Sequence, residues 1–130
     1  MDPQFLHIDE VLAIHADQIE RYGGDATVRD MGLLISAVNM PRASFGGVFA
    51  HADLFEMAAA YLFHIVQNHP FVDGNKRSGA VTAIMFLALN DVDVTGSNEQ
   101  LHELVLDVAK GKTDKAAITW FFRENTSTIA

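Results

Sequence analysis

The chain contains no cysteine among its 130 residues. That absence excludes a disulfide scaffold, a cysteine-ligated zinc site and a thiol nucleophile. Basic residues are few, nine Lys plus Arg against 17 Asp plus Glu, for a formal net charge of -8. A surface of that sign repels a nucleic-acid backbone or an anionic membrane, so neither is expected as a direct partner. Long apolar runs are also missing. The two longest, around Met57–Phe63 and Ile84–Leu89, fall well short of the roughly 20 residues that cross a bilayer. The amino terminus is acidic and lacks an apolar signal core, so a cytoplasmic location is expected. Only three prolines occur, and no repeat, linker or low-complexity tract separates one part of the chain from another. A single domain over residues 1–130 is expected.

What the chain has is helical periodicity. Ile8, Val11, Leu12, His15, Ile19 and Tyr22 share one helix face, with Gly23-Gly24 as a stop. Met31, Leu34, Ile35 and Val38 repeat the pattern up to Pro41. Asp53 with Glu56 predicts the start of a third helix, ending before Pro70. A fourth follows Gly74 and runs to about Leu89; it is apolar nearly all round from Ala80, which places it at the centre of the domain. Ser97 opens a fifth helix and Asp114 a sixth, the latter carrying the core cluster Trp120-Phe121-Phe122. Between the second and third helices, Phe45, Gly46, Gly47 and Val48 read as a short hairpin or flap. Val92–Thr95 is a further extended scrap. The fold class is all-α: a compact bundle of about six helices with a β-hairpin flap.

One segment is unlike bundle filler: His69-Pro70-Phe71-Val72-Asp73-Gly74-Asn75-Lys76-Arg77. It sets a base, an acid, a turn glycine, an amide and two cations directly before the fourth helix. The first turn of a helix offers unpaired N–H groups and the positive end of the dipole, which suits an anion. Gly74 allows close backbone approach, and Lys76 and Arg77 add charge where a phosphate would sit. Asp73 beside phosphate is a natural magnesium ligand. His69, just outside the helix start, can take a proton from an incoming hydroxyl. Phe71 is expected to anchor the loop in the core.

Each of these residues has a plainer structural role available. Asp73 and Asn75 can be helix caps, Gly74 a turn residue, and Lys76 and Arg77 solvated cations, although the last two oppose the helix dipole. His15 is expected to be a hydrogen-bonded core histidine. His64 and His69 are five apart, which is not the spacing of a helical metal pair, so no zinc site is expected.

The nine-residue segment resembles the signature of the Fic/Doc family, H-P-F-x-[DE]-G-N-x-R, at every specified position. The resemblance extends to the whole chain, with its compact helical core and a flap ahead of the motif; the length, the Tyr22-Gly23-Gly24 turn and Asp53-Leu54-Phe55-Glu56 are similar to the short Doc (death on curing) branch, toxins of toxin–antitoxin pairs. The resemblance implies a Fic/Doc fold with ATP and Mg2+ as cofactors. It further implies His69 as general base, Asp73 as metal ligand, and Gly74, Asn75, Lys76 and Arg77 as phosphate-binding residues. Pro70 and Phe71 would be structural, and Phe45, Gly46, Gly47 and Val48 would dock the target by strand addition.

Two departures from the AMP-transferring pattern, H-P-F-x-x-G-N-G-R-x-x-R, bear on the reaction. Lys76 replaces the second glycine and Ala80 stands where the last arginine would be. Doc-type toxins share such a lysine, and the resemblance then implies that ATP presents its γ-phosphate. The expected activity is protein phosphorylation on a Ser/Thr hydroxyl of a translation factor, elongation factor Tu, arresting translation. Gly74, where the Doc signature often has alanine, keeps AMP transfer as the alternative; a catalytically idle binding module is a third possibility. The inhibitory pattern [ST]-x-x-x-E-[GN] is not met, since Trp120 stands four before Glu124. Inhibition is therefore expected from an antitoxin protein that supplies a helix in trans.

Overall fold

A computed structural model describes residues 2–129. Six helices make up most of it: α1 (Ile8–Tyr22), α2 (Met31–Asn39), α3 (Leu54–Asn68), α4 (Asn75–Leu89), α5 (Asn98–Ala109) and α6 (Lys115–Glu124). A 3-10 turn at Met40–Arg42 takes up Pro41 just beyond α2. Four short strands complete the fold: β1 (Ser44–Phe45), β2 (Val48–Phe49), β3 (Val92–Val94) and β4 (Thr126–Thr128). No helix among the described residues is long and apolar enough to cross a membrane.

The helix starts follow from local chemistry. Asp53 accepts from the Glu56 N–H at 2.9 Å, Asp114 from that of Ala117 at 3.1 Å, and Ser97 Oγ from those of Glu99 and Gln100. Asp30 caps α2 in the same way, accepting from the Leu33 N–H at 3.0 Å. Each such cap contributes on the order of 1 kcal/mol. Gly46 and Gly47 both have positive φ, +58° and +82°, as the mirror-image two-residue hairpin turn requires. That turn sets the register of β1 and β2, pairing Ser44 with Phe49 and Phe45 with Val48.

The centre of the bundle is α3, not α4. Met57 through Leu62, with Ile65 and Val66, are all buried, and α3 packs against α2, α4, α5, α6 and the 3-10 turn. Its Ala58-Ala59-Ala60 run is small enough for neighbours to approach on every side. The apolar residues of α4 are not all enclosed: Met85 is 48% exposed and Leu89 39%. Four other apolar expectations also turn outward, Tyr22 at the end of α1, Met31 and Ile35 on α2, and Trp120 on α6. At the carboxyl end, β3 pairs with β4, which the periodicity does not foretell.

The α3–α4 contact is set by Gly79. A Cβ there would lie 2.9 Å from Val66 Cγ2 and 3.3 Å from the Leu62 carbonyl oxygen. Glycine costs about 1 kcal/mol against alanine inside a helix, so its presence reflects the close approach. Gly79→Val is expected to destabilise the protein by roughly 1–3 kcal/mol through overpacking. The urea unfolding midpoint measures this; an unchanged midpoint would show that the helices part without cost.

A second interhelical contact is polar. Lys115 Nζ on α6 donates to His64 Nε2 on α3 at 3.1 Å. Burial, then the charges of Lys115 and His51, push the His64 pKa from 6.5 down to about 4. The folded protein thus holds His64 neutral where the unfolded chain would protonate it. Stability contributed here is complete above about pH 6.5 and is lost as the pH falls towards about 4. Unfolding measured across that interval should show the decline in the parent protein and a shallower one in His64→Gln. Identical slopes would exclude His64 as the cause.

Candidate functional site

The signature segment forms the connection from α3 to α4 and the first turn of α4. α3 ends where His69 enters the left-handed region, φ 50° and ψ 54°. Arg29, from the α1–α2 connection, holds that turn. Its Nε donates to the His69 carbonyl at 2.7 Å and its Nη2 to the Asn68 carbonyl at 3.0 Å. The Pro70 carbonyl accepts from the Arg29 and Asp30 N–H groups, and the Val72 N–H donates to Thr27. Phe71 forms a β-bridge with Val28. The loop is therefore sewn to the preceding connection along its whole length.

Its interior anchor is aromatic. Phe71 is fully buried, and its ring stacks on His15 with centroids 3.6 Å apart and planes 4° from parallel. The same imidazole donates from Nε2 to the Asp73 carbonyl at 2.8 Å. His15 is thus the hydrogen-bonded core histidine expected, and it also fixes the backbone next to the site. Asn75 is buried and serves the loop rather than capping α4. Its Oδ1 accepts from the Phe71 N–H at 2.9 Å, while Nδ2 donates to the Phe71 carbonyl at 2.9 Å and to His69 Nδ1 at 3.0 Å.

Gly74 occupies the N-cap of α4 with φ 81° and ψ 16°. The first helical bond runs from the Ser78 N–H to the Gly74 carbonyl. The N–H groups of Asn75, Lys76 and Arg77 have no acceptor within the helix and mark its positive end. Lys76 is exposed there. Arg77 turns back over α1, donating to the Gly23 carbonyl at 3.2 Å with its guanidinium carbon 5.1 Å from the centre of the Tyr22 ring. Asp73 is exposed, and one of its oxygens accepts from the Asp25 N–H at 2.8 Å.

This turn borders two clefts. One, of about 280 Å³, is shared by His69, Asp73, Gly74, Asn75 and Lys76. The other, of about 420 Å³, has Gly74 through Arg77 on one wall and Asn98, Leu101 and His102 of α5 on the opposite one. A base, a carboxylate, helix-end N–H groups and cations therefore converge, and an apolar slot lies alongside. That combination suits a polyphosphate ester with an organic moiety. Among the described residues no group of three or more His, Asp or Glu is arranged to hold a metal by itself. Asp73 alone fits a magnesium ion whose remaining ligands come from phosphate and water, the donor set that ion prefers.

A model of the Fic/DOC family matches residues 5–87, which include the flap, α3, the loop and most of α4. The chain belongs to the Fic/DOC family. Curated relatives place it in the Doc branch. Over 99 residues it is 38% identical to "Toxin Doc" of Mycolicibacterium smegmatis, covering 75% of this chain and 76% of that protein. Over 112 residues it is 32% identical to "Protein kinase doc" of Escherichia phage P1, covering 85% and 86% respectively. The all-α Fic/Doc fold expected from the signature is the fold observed.

Of the family-derived site residues, His69, Pro70, Phe71, Asp73, Gly74, Asn75, Lys76 and Arg77 come together at the α4 turn. The flap residues Phe45, Gly46, Gly47 and Val48 border neither cleft. They form an exposed hairpin whose Phe49 packs on Phe5 of the amino-terminal segment, with ring centroids 5.6 Å apart. Arg29 and Asp25 escaped the sequence reasoning. Both lie in a short interhelical connection with no motif, so no local pattern distinguishes them from surface charges.

His15 offers the cleanest test of how the loop is held. His15→Phe keeps the ring against Phe71 and removes the bond to the Asp73 carbonyl. A loss of roughly 0.5–1.5 kcal/mol is expected, the net contribution of a part-buried hydrogen bond. Urea unfolding reads the loss, and faster amide exchange at residues 73–77 should accompany it. Unaltered exchange there would mean the bond does not hold the loop.

Proposed function

We propose that this protein is a Doc-type toxin, restrained by an antitoxin, that uses Mg-ATP to phosphorylate a Ser/Thr hydroxyl on a translation factor, elongation factor Tu being the expected target. The observation that carries the proposal is the turn at the start of α4. There His69 and Asp73 share a cleft with Lys76, at the position where AMP-transferring relatives have glycine. The similarity to a phage protein named as a kinase supports the same reaction.

In this scheme the N–H groups of Asn75, Lys76 and Arg77 receive phosphate oxygens, and the Lys76 ammonium adds charge at the transferring end. Asp73 would hold a magnesium ion, which when bound neutralises charge on the phosphates. His69 takes the proton of the target hydroxyl. The electron pair left on that oxygen forms the new bond to the γ-phosphorus, and ADP departs with the pair of the broken P–O bond. The exposed edge of the β1–β2 hairpin supplies backbone groups that an extended target segment can pair with. The outward Phe45 and Val48 side chains add apolar contact. Gly74 favours a second reading, AMP transfer, because glycine is the choice of the AMP-transferring pattern where the Doc signature often has alanine.

Incubation with elongation factor Tu and ATP labelled at either the γ- or the α-phosphate separates the two. Label is expected on the target only from the γ-position. His69→Ala should reduce its incorporation by roughly 100- to 10,000-fold, the usual contribution of a general base. Transfer of the α-label alone would establish AMP transfer instead. Toxicity that survives His69→Ala, with no label transferred, would identify an idle binding module.

A further inference from the structure

Both feet of the β1–β2 hairpin converge on one aromatic ring. Arg42 lies just ahead of β1, and its guanidinium carbon is 5.4 Å from the centre of the Phe5 ring. Phe49 ends β2, and its ring meets Phe5 edge-on, with centroids 5.6 Å apart and planes at 61°. Phe5 in turn stacks on Phe86 of α4, with centroids 5.8 Å apart and planes 21° from parallel. Phe86 is fully buried and packs on Tyr61 of α3 at 5.1 Å. A chain of rings thus runs from the flap to the core.

The neighbours of Phe5 in sequence hold it in place. The Gln4 N–H donates to Asn90 Oδ1 at 2.8 Å, and Asn90 Nδ2 donates to the Gln4 carbonyl at 2.9 Å, so one side-chain amide pairs with the segment as an adjacent strand would. Leu6 is buried; its N–H donates to the Tyr61 hydroxyl at 3.0 Å and its carbonyl accepts from Arg42 Nη2 at 3.4 Å. The flap itself has little other support. Among the described residues, β1 and β2 pair with each other and neither packs extensively on a helix. Beside Phe49 a cleft of about 470 Å³ opens between the amino-terminal segment, Leu54 and Met57 of α3, and Leu89 of α4. An exposed hairpin flanked by free space keeps one position only if it is tied at its base.

We infer that Phe5 is a positioning residue that fixes the flap relative to α4, and so fixes where a target segment paired to the flap lies relative to the phosphate-binding turn of that helix. The inference rests on the proposed docking of a target at the hairpin; the anchoring of the hairpin stands on the contacts alone. α4 is the shared reference. Its first turn follows Gly74 and its later turns carry Phe86, so a flap displaced from Phe5 displaces the target against the nucleotide site. Phe5 lines neither cleft at the turn, so its loss leaves the reacting groups in place. What falls is the fraction of molecules with the flap correctly placed, and apparent affinity for the target weakens in proportion.

Nitrogen-15 relaxation of the full chain reads the anchoring without ATP or target. Order parameters at Ser44–Phe49 should lie near the rigid-backbone value of roughly 0.85 in the parent and fall towards about 0.6 in Phe5→Ala. With elongation factor Tu and labelled ATP, Phe5→Ala should raise KM for the target roughly 2- to 10-fold, the loss of one aromatic contact, and leave kcat unchanged. Phe5→Tyr keeps the ring and should restore both readings. Phe49→Ala removes the contact from the surface side, where folding is not at risk; it should reproduce the effect, and the double variant should be no worse than either single one. Unchanged order parameters in both alanine variants overturn the inference, as does a fall in kcat with KM unaltered. If the parent transfers no label at all, the proposed reaction fails, and the order parameters alone then decide whether Phe5 holds the flap.

Discussion

The buried amide of Asn75 is the constraint on which the site depends. It satisfies both backbone groups of Phe71, and a buried polar group left unpaired costs on the order of 1–3 kcal/mol. Phe71 can therefore sit in the core, stacked on His15, without stranding its peptide groups. With Phe71 in place, the chain can leave α3 in a left-handed turn at His69, descend into the core and emerge at Gly74 ready to begin α4. Residues six apart in sequence, His69 and Asn75, come within hydrogen-bonding distance as a result. The chemistry of the turn and the packing of the bundle are thus consequences of the same few bonds.

The loop is also held from outside the signature. Arg29, Thr27, Val28 and Asp25 all belong to the α1–α2 connection, and each pairs with a residue between Asn68 and Asp73. This pairing resembles a strand interaction more than a helix contact, and it braces a segment that no helix could supply with backbone partners. Behind it, the close approach of α3 and α4 at Gly79 keeps the loop short by drawing its two ends together. A local cationic site can persist in a chain of net charge -8 because the fold concentrates its helix-end N–H groups and two of its nine basic side chains there.

How much of this the sequence discloses depends on whether the determining interaction is local. Caps at Asp53, Ser97 and Asp114 act over two or three residues and can be read directly, as can the hairpin turn at Gly46-Gly47. The signature is equally legible, and with it the positions of His69, Asp73 and the α4 turn. Periodicity is less informative about depth. Met31, Ile35 and Trp120 fit helical stripes yet face outward, because a short bundle has too few neighbours to cover every apolar position. The centrality of α3 was concealed for the opposite reason: alanines make a helix look bland when their small size is what admits neighbours on all sides. The β3–β4 pair and the Arg29 clamp join residues more than 30 positions apart, and no single-chain pattern announces such contacts.

The two cations of the turn are not equivalent, and the difference bears on how free each is to meet an anion. Arg77 is committed: it donates to Gly23 and lies over Tyr22, so it braces α1 against α4 while lending its charge to the site. Lys76 is exposed and has no ion-pair partner among the described residues. A cation at a helix amino terminus is disfavoured by the dipole by roughly 0.3–1 kcal/mol, and nothing in the fold offsets that cost. An anion arriving at the exposed N–H groups would offset it, turning an unfavourable pair of like charges into a three-centre attraction. The lysine also occupies space that a glycine at the same position would leave to the ligand. Under the proposed reaction, a nucleotide would meet charge at its phosphate end and the apolar wall of α5 beyond.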